Sequence, residues 1–180
     1  MDEKKENQAN RLVKKSMLSA LLKLVKEKPL STITISELTK AADVSRMSFY
    51  RNYETVEEVF EEHLKELVAD YRKEDEKLDE GKYFSREFII HCFSCFDNNK
   101  EFISGLISCG MSDMFLNTIT EYVLEKWTRE DSTQENIYML HSYAGALYSL
   151  YLAWAQRDFA EKPEELAVIM ERILCNDITC

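Results

Sequence analysis

The stretch that decides the fold is TISELTKAADVSRMSFYRNY, residues 34–53. It begins with Thr34, whose hydroxyl can accept a hydrogen bond from the backbone at the start of a helix. Glu37 follows three residues later, so the pair has the spacing of a capping box, in which each side chain bonds the backbone N–H of the other residue. This pattern predicts a short helix over Ile35–Ala42.

A second short helix is predicted after a tight turn. Asp43 interrupts the first helix, and Asp tolerates a left-handed turn better than most residues other than glycine. Ser45 is then a good N-cap for a helix over Arg46–Arg51. Two short helices joined by a turn of a few residues form the helix-turn-helix pattern. The β-branched run STITI, residues 31–35, resembles a strand, but no partner strand is evident.

The second of these helices carries side chains suited to the major groove of DNA. Arg46 can donate two hydrogen bonds to a guanine edge, and Met47 can contact a thymine methyl group. Ser48 can bond a base or a phosphate, and the tyrosines and Arg51 carry donors for phosphate oxygens. Phe49 is predicted to point inward instead. The candidate DNA-binding residues are Thr34, Ser45, Arg46, Met47, Ser48, Tyr50, Arg51 and Tyr53.

Charge is distributed unevenly along the chain. The 180 residues carry a formal charge of −10, yet residues 1–53 contain eleven basic and six acidic residues, a charge of +5. The rest of the chain therefore carries −15. We expect a polyanion such as DNA to meet the basic first third, while the acidic remainder weakens non-specific binding to phosphate.

Composition restricts the fold class and the compartment. Only 4 Gly and 2 Pro are present, fewer than a sheet protein with many tight turns usually needs, which favours an all-α fold. No apolar run approaches the roughly 20 residues of a membrane span, and the charged first residues have no apolar signal core. We therefore expect a cytoplasmic protein without membrane contact. Five cysteines form no evident paired framework, which suits a reducing compartment.

Apolar periodicity predicts helices along the rest of the chain, with a charged loop at residues 77–82. The predicted helices are Asn10–Lys28, Val56–Lys77, Tyr83–Phe96, Phe102–Ile107, Asp113–Thr128, Gln134–Gln156 and Pro163–Leu174. Thr55 and Glu58 are predicted to form a capping box at the start of the second of these helices.

Residues 32–60, TITISELTKAADVSRMSFYRNYETVEEVF, resemble the DNA-binding segment of the TetR family of transcriptional regulators. The resemblance extends over about residues 12–60. The matching positions are Ile35, Leu38, Ala42, Val44, Ser45, Tyr50, Tyr53, Glu57 and Glu58.

The resemblance implies an all-α protein in two parts. Residues 1–54 would form an N-terminal three-helix helix-turn-helix DNA-binding domain, and residues 55–180 a C-terminal helical dimerisation and ligand-binding domain. It further implies a homodimer, a palindromic double-stranded DNA operator, and a repressor whose DNA affinity is controlled by an unknown small-molecule effector.

Four positions depart from the family pattern. Asp43 stands where Gly is usual in the turn, and Thr39 where a small Ala is common. Met47 replaces a common Gly, so it can set the base preference or hold the helix further from the bases. Val56 stands where a Lys often opens the next helix, which removes one phosphate contact and lowers the salt dependence of binding by roughly one unit.

The last two predicted helices are the candidates for the dimer interface. Both carry more apolar residues than one buried face needs, and Ala144, Gly145 and Ala146 permit close helix approach. The alternative is that both helices belong to the core of the monomer. A dimer is also favoured physically, because two copies about 34 Å apart read a palindrome with useful specificity.

An apolar or aromatic effector would suit the aromatic, Met, His and Cys residues of the C-terminal helices, although such residues at helical spacing are more often plain core. The candidate effector-lining residues are Phe88, His91, Cys92, Phe96, Phe102, Met111, Met114, Phe115, Tyr122 and Tyr143.

Two other functions compete with effector control. In HCFSC, residues 91–95, Cys92 and Cys95 lie at i and i+3, so they could sense a metal or an oxidant. A closed zinc site needs two more ligands, and no second pair with ligand spacing appears, so no metal or cofactor is expected.

The protein could also act as a co-regulator that binds another protein. Enzymatic function is not expected, because the three histidines have no nucleophile partner by motif and no phosphate-binding glycine loop is present.

Overall fold

The computed structural model describes residues 2–75 and 85–174, with side chains described for residues 8–75 and 85–173. Every regular element in these ranges is helical, as the composition and the resemblance predict. The chain divides into two compact units, Met1–Asp70 and Tyr71–Cys180. None of the described helices combines the length and the apolarity needed to cross a membrane.

The first unit contains the predicted helix-turn-helix. Its elements are α1 (Asp2–Glu27), a 3₁₀ turn (Leu30–Thr32), α2 (Ile35–Ala41), α3 (Arg46–Tyr50) and the beginning of α4 (Glu58–Asp75). The first helix starts well before the predicted Asn10. The STITI run holds the last two residues of the 3₁₀ turn and the first residue of α2, and it forms no strand.

Side-chain caps set the starts of α2 and α3 as predicted. The Thr34 hydroxyl accepts a hydrogen bond from the Glu37 backbone N–H at 3.2 Å, and Glu37 accepts one from the Thr34 N–H at 2.9 Å, which completes the capping box. Ser45 accepts from the Ser48 N–H at 3.0 Å. Each cap satisfies a backbone donor that the first turn of a helix leaves without an intrahelical partner.

The start of α4 differs from the prediction by two residues. The Thr55 hydroxyl does accept a hydrogen bond from the Glu58 N–H at 3.3 Å. The Glu58 carboxylate, however, accepts from the N–H of Glu54 at 2.7 Å rather than from that of Thr55. The helix consequently begins at Glu58 instead of Val56. Its predicted end at Lys77 lies outside the described residues.

A left-handed residue ends α2 and turns the chain towards α3. Asp43 has φ of 54°, the conformation predicted for it. The N–H of Val44 bonds the carbonyl of Thr39 at 3.0 Å, and the N–H of Asp43 bonds that of Lys40 at 3.3 Å. These two bonds define a Schellman motif, which satisfies carbonyls that the end of a helix leaves open.

The core of the first unit connects all of its helices. Met17 and Leu21 of α1, Leu38 of α2 and Phe49 of α3 are all fully buried. The Phe49 ring lies 5.6 Å from the ring of Tyr53, with the planes tilted by 50°. Phe49 therefore anchors α3 from its inner side, as its predicted inward orientation requires.

The second unit is a set of packed helices: α5 (Arg86–Asn98), α6 (Lys100–Ser108), α7 (Ser112–Trp127), α8 (Gln134–Ala155) and α9 (Pro163–Leu174). α5 packs against α9 and α6, and α7 packs against α8 and α6. The predicted helices agree with these within three residues at each described boundary. The predicted start at Tyr83 and the loop at residues 77–82 lie outside the described residues.

Aromatic rings fill the centre of the second unit. Phe96 makes edge-to-face contacts with Phe115 at 5.4 Å and with Tyr151 at 5.4 Å. Phe93 contacts Trp154 in the same way at 5.9 Å. Such contacts add roughly 0.5–1.5 kcal/mol each to the stability gained from burial alone.

We expect Phe49→Ala to destabilise the protein by about 3–5 kcal/mol, because it leaves a cavity under α3. Met47→Ala is the matched control on the same helix: Met47 is 74% exposed, and its truncation should change the free energy of unfolding by less than about 0.5 kcal/mol. Urea unfolding followed by circular dichroism measures both values. Equal effects of the two substitutions would contradict the inward anchoring of α3.

Candidate nucleic-acid interface and effector site

The first turn of α3 projects its side chains into solvent. Arg46, Met47, Tyr50 and Arg51 are exposed, with Met47 at 74% and Tyr50 at 59%. Ser45 is exposed and Ser48 is half-buried. The Tyr50 ring still meets the edge of the Phe49 ring at 5.6 Å, so Met47 is the apolar side chain of α3 with the greatest exposure.

The Arg46 guanidinium is held in place by the preceding helix. It donates a hydrogen bond from Nη2 to the Ser36 hydroxyl on α2. Binding normally costs entropy because it restricts the freedom of a side chain. Since this hydrogen bond already restricts Arg46, it reduces the entropic cost of using Arg46 in recognition. Sequence reasoning did not identify Ser36, because its role depends on how α2 and α3 pack.

The two serines of α3 bond each other. The Ser45 and Ser48 hydroxyl oxygens lie 2.9 Å apart, while Ser45 also caps the helix. The bond to Ser45 therefore occupies one hydrogen-bonding position of the Ser48 hydroxyl. The Ser45 hydroxyl bonds only residues of its own helix in these contacts.

Thr34 is exposed, as a phosphate contact must be, but its donors are already engaged. The Glu37 carboxylate accepts from both the N–H and the hydroxyl of Thr34, at 2.9 and 2.8 Å. Lys28 bonds the same carboxylate at 2.6 Å. The Lys28 bond, followed by those from Thr34, lowers the pKa of Glu37 to about 2. The Glu37 carboxylate thus engages the donors that a phosphate contact by Thr34 would use.

Tyr53 differs most from the sequence-based prediction. The side chain is only 5% exposed and packs against Phe49, whereas a phosphate contact requires a hydroxyl that reaches a ligand. Burial raises the pKa of Tyr53 to about 12, in spite of the opposing charge of Lys14. The position of this residue is that of a core side chain.

Lys14 ties α1 to the first turns of α4. Its ammonium lies 3.0 Å from the Glu62 carboxylate and 3.2 Å from that of Glu66. Partial burial lowers the pKa of Lys14, but hydrogen bonds to both glutamates outweigh that effect and raise it. Lys14 is consequently engaged in the internal structure of the unit, although its charge is part of the basic first third.

The predicted effector residues fall into separate groups. Phe96 and Phe115 belong to the aromatic core of the second unit and contact each other. Phe102 is buried on α6, whereas Met111 and Met114 are half-buried near the start of α7. The others lie around a polar cluster: Phe88, His91, Cys92, Tyr122 and Tyr143.

That polar cluster is centred on Asp75, near the end of α4. Asp75 is 5% exposed, and its carboxylate accepts hydrogen bonds through Oδ2 from the Tyr122 hydroxyl and the Lys126 ammonium. The Tyr71 ring stacks on His91 at 4.6 Å and meets the edge of Tyr122 at 5.1 Å. We call Tyr71, Asp75, Phe88, His91, Tyr122, Lys126 and Trp127 the Asp75 cluster.

The charged members of the Asp75 cluster were not identified from the sequence. A signal was present: Asp75 lies four residues after Tyr71, and Lys126 four residues after Tyr122, so each charge stands where an apolar helix stripe continues. Opposite charges at such positions on two helices indicate a buried pair. Which helices meet could not be read from the pattern.

The cysteine pair lies next to this cluster. Cys92 is buried and Cys95 is half-buried, and both carry free thiols. Burial raises the pKa of Cys92 well above its usual range and that of Cys95 to about 11. Because the thiolate is the reactive and metal-binding form, both thiols are poorly suited to sensing. Within residues 2–75 and 85–174, no three His, Cys, Asp or Glu side chains are grouped as metal ligands; Cys175 and Cys180 lie outside these ranges.

A surface cavity of about 210 Å³ lies at the connection between α7 and α8. None of the predicted effector residues line it. Its walls are formed by Trp127, Arg129, Asp131, Ser132, Asn136 and Leu140.

The predicted dimer helices present large apolar side chains to solvent. On α8, Tyr138 is 64% and Met139 43% exposed. On α9, Ile169 and Ile173 are 40% and 44% exposed. A Cβ added at Gly145 of α8 would meet no described atom within 4 Å. Ala144, in contrast, is fully buried in the unit, so it serves the core instead of an interface.

The fold and the exposed α3 define the class: the chain is a helix-turn-helix protein followed by an all-helical unit. A family model described as a transcriptional regulator C-terminal region, of the TetR type, matches residues 85–176, about half of the chain. The chain belongs to the TetR family of transcriptional regulators. Regulators of this type bind DNA and dimerise.

Solved structures have the same fold. A TetR transcriptional regulator from Streptococcus agalactiae superposes with a TM-score of 0.64 at 18% identity, covering 93% of this chain and 96% of that one. A fatty acid degradation regulator, FadR, from Bacillus halodurans gives 0.59 at 15% identity, with 90% and 94% covered. The dihydroxyacetone kinase operon activator DhaS gives 0.57 at 18%, with 92% and 96% covered. No curated protein sequence matches the chain significantly.

We expect protonation of the Glu37 carboxylate to lower the stability of the protein at acidic pH. Its folded-state pKa is lowered to about 2, so its contribution is fully present above about pH 4.5 and is lost as the pH falls towards 2. The melting temperatures of wild type and Glu37→Gln should therefore differ most above pH 4.5 and converge near pH 2. Lys28→Gln should flatten the wild-type profile in the same range, and a Glu37→Gln difference independent of pH would contradict the assignment.

Proposed function

We propose that this TetR-family regulator is a cytoplasmic homodimer that binds a palindromic operator through α3 and is controlled by a small-molecule effector bound in its second unit. The observation that carries the proposal is the construction of α3. Its outer side exposes Arg46 and Met47, while Phe49 anchors its inner side. A helix that reads the major groove must be held by the core on its inner side and expose its outer side to the bases.

Side-chain exposure and hydrogen bonding support a narrower assignment of residues to DNA. Arg46 and Met47 contact base edges, and Tyr50 and Arg51 contact phosphates. Ser48 contacts the duplex with its remaining hydrogen-bonding position, and Ser45 acts mainly as the cap of α3. We assign Thr34 and Tyr53 to the internal structure, since Glu37 engages the donors of the former and the core holds the latter.

The effector is assigned to the Asp75 cluster and its immediate neighbours. This assignment is supported by the number of predicted residues around it and by the polar atoms that it buries. We assign the remaining predicted residues to the core and its margins: Phe96, Phe102, Met111, Met114 and Phe115. Effector binding then shifts the population between conformers with different spacing of the two α3 helices. The chain that runs from α3 to the cluster consists of the connection at residues 51–57 and of helix α4, which carries Tyr71 and Asp75.

The dimer is assigned to α8 and α9. Four exposed large apolar side chains on two helices are unusual for a monomer surface and suit an interface between two copies. The open space above Gly145 is compatible with the close approach of a second helix.

Two alternatives remain distinguishable. A co-regulator that acts through another protein would retain the fold and show no sequence-specific DNA binding at moderate salt. Metal or oxidant sensing through Cys92 and Cys95 predicts that Cys92→Ser/Cys95→Ser protein no longer releases DNA when either is added. For the direction of regulation we propose repression, whereas DhaS, a structural relative, is described as an activator.

The operator test begins with selection of binding sites from random DNA. We expect two inverted half-sites with centres about 34 Å apart. On the selected operator, Arg46→Ala should weaken binding by about 1–3 kcal/mol and relax base choice at one position of each half-site. Arg157→Ala, in the second unit, is the matched control and should leave affinity unchanged. Uniform weakening on every sequence would instead assign Arg46 to phosphate, and failure to select any motif would favour the co-regulator.

The dimer assignment predicts that Ile169→Glu produces monomers, because it places a charge in an apolar interface. The matched control is Leu12→Glu, which changes another exposed aliphatic side chain, 62% exposed, in the first unit. Sedimentation velocity over a range of concentrations measures both variants. Dimers of Ile169→Glu with wild-type stability would exclude this face of α9 from the interface.

A further inference from the structure

The Lys126 ammonium lies in a cage of aromatic rings. Its Nζ is 5.3 Å from the centroid of Phe88, 5.5 Å from that of Trp127 and 5.9 Å from that of Tyr122. These distances are within the range of cation–π attraction. The Asp75 carboxylate supplies the opposite charge, and the lysine side chain is only 26% exposed. The cage therefore has the composition of a binding site for an organic cation, and a side chain of the protein fills it.

The cage is not saturated by Lys126. Asp75 uses Oδ2 for both of its hydrogen bonds, whereas its buried Oδ1 has no hydrogen-bond partner among the described residues. The buried Nε2 of His91 also has none within the described part of the chain. A buried polar atom without a partner costs roughly 1–3 kcal/mol. A ligand that donates an N–H group would remove this cost at Asp75 Oδ1.

We propose that the Asp75 cluster binds a small organic cation, an ammonium or amidinium group attached to an aromatic or apolar body, which displaces the Lys126 ammonium. This proposal rests on the proposed function, since it names the chemical class of the effector. The positive group takes the place of Nζ among Phe88, Tyr122 and Trp127 and donates to Asp75. The apolar body contacts the surrounding rings.

The exchange conserves the buried charge. One carboxylate and one cation occupy the cluster before and after, because Lys126 is near enough to the surface for its ammonium to return to water as the ligand enters. An anion is disfavoured, since it would meet Asp75 in a poorly hydrated site. A neutral ligand would leave the cage without the cation that its rings attract.

The position of the site connects a change at Lys126 to helix α8 through helix α7. Lys126 is in the last turn of α7, and its backbone carbonyl accepts a hydrogen bond from Arg129 at 2.7 Å. Helix α7 packs on α8, the helix that we assign to the dimer. Displacement of Lys126 thus acts at the end of a helix in contact with the proposed interface.

The test uses the full-length protein and calorimetric titration with phenethylammonium. Wild type should bind it saturably. Lys126→Ala should bind it about tenfold more tightly or better, because a tethered competitor at high effective concentration is removed. Asp75→Asn should lose binding. Hydrocinnamate and phenethyl alcohol, which replace the ammonium by a carboxylate and a hydroxyl, should not bind.

Lys100→Ala is the matched control. The Lys100 ammonium also pairs with a carboxylate, that of Asp97 at 2.9 Å, and lies 5.4 Å from an aromatic ring, that of Phe159. Its side chain is 50% exposed, so it closes no cage. This variant should bind phenethylammonium as wild type does. Lys126→Met serves in place of Lys126→Ala if the latter does not fold.

Two results would overturn the proposal: no gain in affinity for phenethylammonium in a folded Lys126 variant, or equal binding of hydrocinnamate or phenethyl alcohol. Either would leave the Asp75–Lys126 pair as a purely structural ion pair. Operator binding by the same samples separates this failure from that of the proposed function. Intact operator binding without cation binding rejects the effector class alone, whereas cation binding without operator binding rejects the DNA-binding role.

Discussion

The left-handed turn at Asp43 is the constraint on which the helix-turn-helix depends. With φ at 54° and the backbone bonds of a Schellman motif, it ends α2 at a fixed point and sends the chain into the cap of α3. A residue with a β-branched side chain would be strained in this conformation, whereas Asp is tolerated. Everything that α3 exposes, and the burial of Phe49 beneath it, follows from the direction that this turn sets.

The same device ends two helices of the second unit. Gly110 follows α6 with φ of 90°, and the Met111 N–H bonds the Leu106 carbonyl at 3.0 Å. Asp158 follows α8 with φ of 53°, and the N–H of the next residue bonds the Trp154 carbonyl at 3.1 Å. Only the turn at Asp43 was predicted, because there the Ser45 cap shortly afterwards marked a new helix. After α8 the next predicted helix begins only at Pro163, so no cap close to Asp158 marked the turn there.

The two candidate sites differ in how far the sequence could reveal them. On α3, neighbouring residues form one short exposed surface, so the exposure of Arg46 and Met47 could be predicted from local spacing. The engagement of Thr34 by Glu37 and the burial of Tyr53 could not be predicted in this way, because both depend on packing. The Asp75 cluster joins α4, α5 and α7, and a pattern along one helix does not specify its partners.

The sequence by itself determined most helix boundaries to within three residues, the caps of α2 and α3, the left-handed Asp43 and the basic first third, because these depend on interactions within a few residues or on composition. Tertiary structure alone decided that Arg46 rests on Ser36, that Tyr53 is core, and that Lys126 enters an aromatic cage beside Asp75. The physical reason is that these features require side chains distant along the chain to meet in a dehydrated interior. There the balance of burial, charge and hydrogen bonding differs from that at an exposed helix surface.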